Sequence, residues 1–169
     1  VLTVTFQLRI GDQSDAISYP ELAKELQIEV GAKASTKSVR QAVLKIRERK
    51  GMLLGKSNQS LKSAGSFFVN PIITKLQADK LPASAPKWQQ PNGNVKTSAA
   101  WLLENAGVKR GEQLSGAKVS ELHVLAFTNS GSATAKDMVA LARSAKAKVK
   151  EKFGIELQPE VQLIGCDLD

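Results

Sequence analysis

An α+β fold, with helices packed on a mixed or antiparallel sheet as a two-layer sandwich, is what the order of elements in this chain predicts. Three observations carry that expectation. Period-two alternation near both ends reads as strand, apolar residues spaced three and four apart read as amphipathic helices, and the order in which the two interleave favours a mixed or antiparallel sheet. With 169 residues, 42% of them apolar, the chain can bury one sizeable core, read as one domain over 1–169.

Val4, Phe6, Leu8 and Ile10 alternate with Thr3, Thr5, Gln7 and Arg9, a half-buried opening strand that Gly11-Asp12 breaks. No initiator methionine precedes it, so the sequence reads as beginning in mid-protein. From Tyr19-Pro20 to about Ile28, Leu22, Ala23 and Leu26 share a helical face, and proline suits a first turn. A second helix is capped by Ser35 or Thr36, carries Val39, Ala42, Val43 and Ile46 at helical spacing, and stops at Gly51. Residues 52–65, MLLGKSNQSLKSAG, are small, polar and aperiodic, a loop leading into a short buried strand over 66–69.

Pro71 is placed to start a helix to about Leu81, and LPASAPKWQQPNGN, with three prolines and an Asn-Gly turn, reads as irregular surface chain. Thr97 or Ser98 caps a helix through Ala99, Trp101 and Leu103 that ends at Gly107. Val119 and the run 123–127 read as β, and NSGSATAKD joins them to the clearest helix. That helix has Met138, Leu141, Ala142, Ala145, Val149 and Phe153 as its buried stripe, a Thr134–Asp137 capping box, and Gly154 as its stop. In LQPEVQLIG a last strand puts Val161 and Leu163 on one face and Glu160, Gln162 and Ile164 on the other.

The net charge of +8 raises the question of nucleic acid. Lys136, Arg143, Lys146, Lys148, Lys150 and Lys152 scatter around the solvent side of the last helix, and stacking aromatics make up only 5% of the chain. A solvated helix face accounts for the charge; a basic module binding nucleic acid or a UDP-sugar is kept as the alternative. One histidine and one cysteine, Cys166, supply neither a disulfide framework nor HExxH or CxxC spacing, so no metal site is expected. His123 by itself reads as a structural histidine, Lys50 as a cation closing a helix, and the loop 129–133 as a connector whose amides could face a phosphate. GxGxxG and P-loop motifs are absent, which argues against a dinucleotide or nucleoside-triphosphate site. No apolar run approaches the roughly twenty residues of a membrane span and no signal-peptide pattern opens the sequence, so a cytoplasmic protein is expected.

The stretch GSFFVNP, residues 65–71, poses a sharper question. It sets a hydroxyl between a glycine and two phenylalanines that call for burial, so the hydroxyl is either satisfied by backbone or employed. The stretch resembles the G-S-F-F-x-N-P signature of the UDP-N-acetylenolpyruvoylglucosamine reductase family, the flavoenzymes that make UDP-N-acetylmuramate for peptidoglycan. YPEL at 19–22, VRQAVLKIRERK at 39–50, VKTSAAWLLENAGVKRG at 95–111, VLAFTNSGSATAKDMVALA at 124–142 and FGIELQPEVQLIG at 153–165 resemble the family in the same order and extend the likeness to nearly the whole chain.

The resemblance is to the carboxy-terminal, substrate-binding part of that enzyme. It implies an amino-terminal FAD-binding region as partner, in which FAD takes hydride from NADPH and passes it to UDP-N-acetylglucosamine enolpyruvate. It implies Ser66 as proton donor and Glu160 as stabiliser of the enolate, with an arginine of the upstream region for which neither Arg47 nor Arg49 stands in. Lys50 and Asn70 match positions that contact the substrate's diphosphate and sugar, and His123 matches a polar substrate contact. No residue of this chain is implied in holding flavin or nicotinamide, so the chain alone is expected to be colourless and inactive. Two departures stand out: Val69 replaces a residue that is often lysine, and the loop 51–64 is longer than in some relatives.

Overall fold

Pro20 begins a helix as its fixed φ allows: in the computed structural model, which describes residues 1–53 and 63–168, α1 spans Pro20–Leu26. It stops where Gln27 turns left-handed at φ 57°. α2 spans Thr36–Arg49, and its N-cap is Ser35, whose Oγ accepts the Ser38 amide at 3.1 Å. The lead-in to α1 runs along the residues before α2, the amides of Ser14, Ile17 and Thr36 donating to Ala34, Ala32 and Asp12 at 2.9, 3.0 and 2.7 Å. α1 and α2 pack together, burying Ala23 and Ala42. These elements belong to the first of two compact units, Val1–Leu53; the second is Leu54–Asp169.

The expected opening strand is not formed. Residues 1–11 carry no strand pairing, and Val4, Phe6, Leu8 and Ile10 are exposed. Alternation favours an extended backbone, but a strand also needs a neighbour's N–H and C=O groups, and among the described residues none pairs with this segment.

In the second unit the elements follow as β1 (Ser63–Ser66), β2 (Ile72–Ile73), α3 (Lys75–Lys80), β3 (Lys87–Gln89), β4 (Val95–Thr97), α4 (Ala99–Asn105), β5 (Gln113–Leu114), β6 (Ala117–Val119), β7 (Ala126–Asn129) and α5 (Ala135–Phe153). They form a four-stranded sheet in the order β1-β7-β6-β5 and a three-stranded sheet in the order β2-β4-β3. Every described strand pairing is antiparallel, so the α+β expectation holds in its antiparallel form. α5 lies against β5, β6 and α4, and the core gathers Phe68, Phe127, Leu102, Leu103, Val149 and Leu157, among others.

Local expectations fare unevenly. α5 has its Thr134–Asp137 capping box and its left-handed Gly154, and Val139 joins Leu141, Ala142, Ala145 and Val149 in the buried stripe, with Met138 and Phe153 half-buried. Ser98, not Thr97, caps α4. Pro71 does not start a helix: its carbonyl accepts the Thr97 amide at 3.0 Å, β2 pairs with β4, and α3 begins only after Thr74, which forms a capping box with Gln77. The 81–94 stretch contains β3, which makes a hairpin with β4 about Gly93 at φ 80°. Val119 ends β6 as expected of a strand residue, but of the run 123–127 only Ala126 and Phe127 are strand, in β7, after a turn at 123–125. The strand expected over 66–69 lies earlier, as β1, and residues 54–62 of the preceding loop are outside the described residues. LQPEVQLIG makes no ladder beyond a bridge at Pro159, although Val161 and Leu163 pack against the core while Glu160, Gln162 and Ile164 are exposed.

Candidate functional site

Ser66 owes its position to an irregularity in β1. Ser63 pairs with Thr128 and Ser66 with Ala126, so three steps on β1 oppose two on β7, and the extra residue bulges the strand. Gly65 supplies the bulge with φ 83°, a left-handed backbone that other residues adopt only under strain; a Cβ there would meet nothing within 4 Å, so conformation and not space requires the glycine. Such bulges re-aim the side chains beside them, and the next residue is Ser66, half-buried at the strand's end.

Phe67 then laces three segments together. Its N–H donates to the Leu125 carbonyl and its carbonyl accepts the Glu160 N–H, both at 2.8 Å, while the Val69 N–H donates to Gln158 at 3.0 Å. The Phe67 ring stacks on Phe127 at 5.0 Å and meets Phe68 edge-on at 5.1 Å, which anchors the lacing in the core. Ser66, the turn bearing His123, and Glu160 are thereby carried on neighbouring backbone. Glu160 is exposed and His123 half-buried. The His123 Nδ1 accepts the Leu125 N–H at 3.2 Å, so the neutral ring carries its proton on Nε2.

Asn70 follows on the same segment and is tied to α4. Its Oδ1 accepts the Ala99 N–H at 2.9 Å, and Ser98 Oγ takes the Trp101 N–H at 3.2 Å, so the two side chains share the orphan amides of that helix start. Lys50 belongs to the first unit, where it is the C-cap of α2 and its Nζ lies 2.6 Å from Glu21 Oε2. Sequence reasoning passes over Glu21; its spacing of four from Glu25 on α1 is the signal that could have found it.

In the loop 129–133 the amides of Ser130, Gly131 and Ala133 are already engaged within the chain. Asn129 Oδ1 accepts the Gly131 and Ala133 amides at 2.8 and 3.0 Å, the Ser130 amide donates to Gly116 at 3.1 Å, and the Thr134 amide donates to Asp137 at 2.8 Å. α5 is not a free basic stripe either: Arg143 pairs with Asp167, Lys146 and Lys150 with Glu156, and Lys148 with Glu112, while Lys152 donates to the Asn105 carbonyl. Among the described residues no group of three His, Cys, Asp or Glu could hold a metal ion, and no helix is long and apolar enough to cross a membrane.

Residues 56–164 match the family model for the UDP-N-acetylenolpyruvoylglucosamine reductase, C-terminal domain. A UDP-N-acetylenolpyruvoylglucosamine reductase of Cutibacterium acnes is 43% identical over 171 residues, covering 99% of this chain and 45% of that protein. One from Mycobacterium tuberculosis is 41% identical over 179 residues, covering 99% and 48%. The chain spans about half the length of the curated relatives it matches. Among solved structures, that of UDP-N-acetylenolpyruvylglucosamine reductase from Thermus caldophilus matches with a TM-score of 0.40 at 27% identity, covering 77% of this chain and 37% of that one.

Proposed function

The chain belongs to the UDP-N-acetylenolpyruvoylglucosamine reductase family, matching its carboxy-terminal domain, and on that premise we propose that residues 1–169 are the substrate-binding part of a peptidoglycan-synthesis flavoenzyme. The whole enzyme would reduce UDP-N-acetylglucosamine enolpyruvate to UDP-N-acetylmuramate in the cytoplasm. What supports the reading is the lacing about Phe67, which puts the Ser66 backbone one residue from a hydrogen bond to Glu160 although 94 positions separate them in sequence (160 − 66).

FAD, held by an amino-terminal region and reduced by NADPH, would supply the hydride. Hydride addition to the terminal methylene carbon of the enolpyruvyl ether drives an electron pair through the adjacent carbon into the carboxylate, and the resulting enolate must be stabilised and protonated. Ser66 would give its hydroxyl proton to that adjacent carbon and recover one from solvent. A serine is a weak acid, but an enolate is basic enough to take its proton when the hydroxyl is held in place. Glu160 would stabilise the enol with an upstream arginine, Lys50 and Asn70 would contact diphosphate and sugar, and His123 would make a polar substrate contact.

Joined to the amino-terminal half of a relative, a chain with Ser66→Ala should keep flavin reduction by NADPH while reoxidation by the enolpyruvyl substrate slows roughly a hundredfold or more. Equal loss in both half-reactions would sink proton donation. Oligonucleotide binding with a steep salt dependence, and no affinity for a UDP-sugar, would favour the basic-module alternative instead.

A further inference from the structure

We infer that Glu21 is a positioning residue for Lys50, holding its ammonium in the orientation from which it takes the diphosphate of a UDP-sugar; this rests on the assignment of Lys50 to that diphosphate. Lys50 caps α2, so its side chain leaves from the end of the helix, and its Nζ lies 2.6 Å from Glu21 Oε2 in the first turn of α1. One turn further along α1, Glu25 takes Arg49 at 2.6 Å. The spacing of four sets both carboxylates on one face of α1, opposite two consecutive residues at the end of α2.

The two carboxylates differ in depth: Glu25 is 17% exposed and Glu21 52%, while their partners Arg49 and Lys50 are 57% and 37% exposed. The deeper carboxylate, Glu25, suits a latch between the helices, and the more open Glu21 leaves the partly exposed Lys50 ammonium within reach of a ligand. An ammonium has three donors, so one bond to Glu21 leaves two for an anion. A lysine side chain loses much rotamer freedom when it is immobilised by a ligand; a carboxylate that already holds it has met that entropy before binding. The negative charge of Glu21 opposes an anionic ligand, but the positive charge of the Lys50 ammonium that both would contact offsets that repulsion.

Isothermal titration of the 169-residue chain with UDP-N-acetylglucosamine, and with uridine as a ligand lacking diphosphate, tests this. Glu21→Ala should weaken UDP-N-acetylglucosamine binding roughly threefold to fivefold, the upper reach of an exposed ion pair. Glu21→Gln keeps an acceptor oxygen in the same place and should stay within about twofold of the parent. Uridine affinity should not move, and Glu21→Ala should have no effect in a Lys50→Ala background. Glu25→Ala, which breaks only the latch, should lower the unfolding midpoint and leave UDP-sugar affinity alone. If Lys50→Ala weakens the UDP-sugar but Glu21→Ala does not, or acts equally without Lys50, positioning is overturned while the assignment of Lys50 stands. If the chain does not bind UDP-N-acetylglucosamine, or Lys50→Ala leaves binding unchanged, both readings fall.

Discussion

Asn70 caps a helix start and is proposed to contact the substrate, two roles that substitution can separate. Its Oδ1 caps α4 through the Ala99 amide, and its Nδ2 is the group that would donate to the nucleotide sugar. Asn70→Ala should cost about 1 kcal/mol of stability, the ordinary worth of one hydrogen bond, and should also weaken UDP-sugar binding. Asn70→Asp keeps the acceptor, and its charge suits a helix start, so the urea midpoint should hold while affinity falls, since the donors are lost and a negative charge faces the diphosphate. A parallel fall of both properties in the Asp variant would show that Asn70 acts through the fold alone. At this scale sequence carried the chemistry of GSFFVNP: Phe67 and Phe68 are buried, as their side chains demand. It did not carry the bulge, because a left-handed Gly65 acquires its meaning only from the register of β1 on β7.

Among the elements, the β5–β6 hairpin and the loop before α5 are joined at a point no pattern marks. A Cβ on Gly116 would stand 2.5 Å from the Ala133 nitrogen and 2.7 Å from its Cα, with backbone atoms on the far side that cannot swing away. The Ser130 amide and hydroxyl both donate to the Gly116 carbonyl, at 3.1 and 2.7 Å. Gly116→Ala should therefore destabilise the chain by about 1–3 kcal/mol, as overpacking does, read as a lower urea midpoint with the same slope. An unchanged midpoint would mean that the loop is free to retreat. Helices with their own caps, α2 and α5, are legible from local sequence because the capping side chain and the amide it satisfies lie three residues apart. Pro71 misleads for the converse reason: the partner that draws residues 72–73 into a sheet is β4, more than twenty residues on.

For the whole molecule, charge decides behaviour with pH. Lys146 and Lys150 hydrogen-bond Glu156, Lys118 bonds Glu121, and the amide and hydroxyl of Thr134 bond Asp137; each partner holds its carboxyl below the ordinary value. Glu112 is pushed up by burial, but the bonds from Lys148 and from the Lys109 amide outweigh that and lower it too. A carboxyl that titrates lower when folded stabilises fully above its unfolded value, 4.5 for Glu and 3.8 for Asp, and loses that contribution as pH falls through the folded one. The urea midpoint should be flat from about pH 7 to about pH 5.5 and decline below about pH 4.5. A decline that begins near neutrality would point to another group. By itself the sequence determined the family and the α+β class and nominated the residues proposed for proton donation and diphosphate binding, because side-chain chemistry and local periodicity are written along the chain. Only the tertiary structure decided which of those residues share a neighbourhood, which amides and lysines are already spent, and that residues 1–11 form no strand. Each of those outcomes depends on a hydrogen-bonding or ionic partner distant in sequence, and no local pattern records where such a partner will lie.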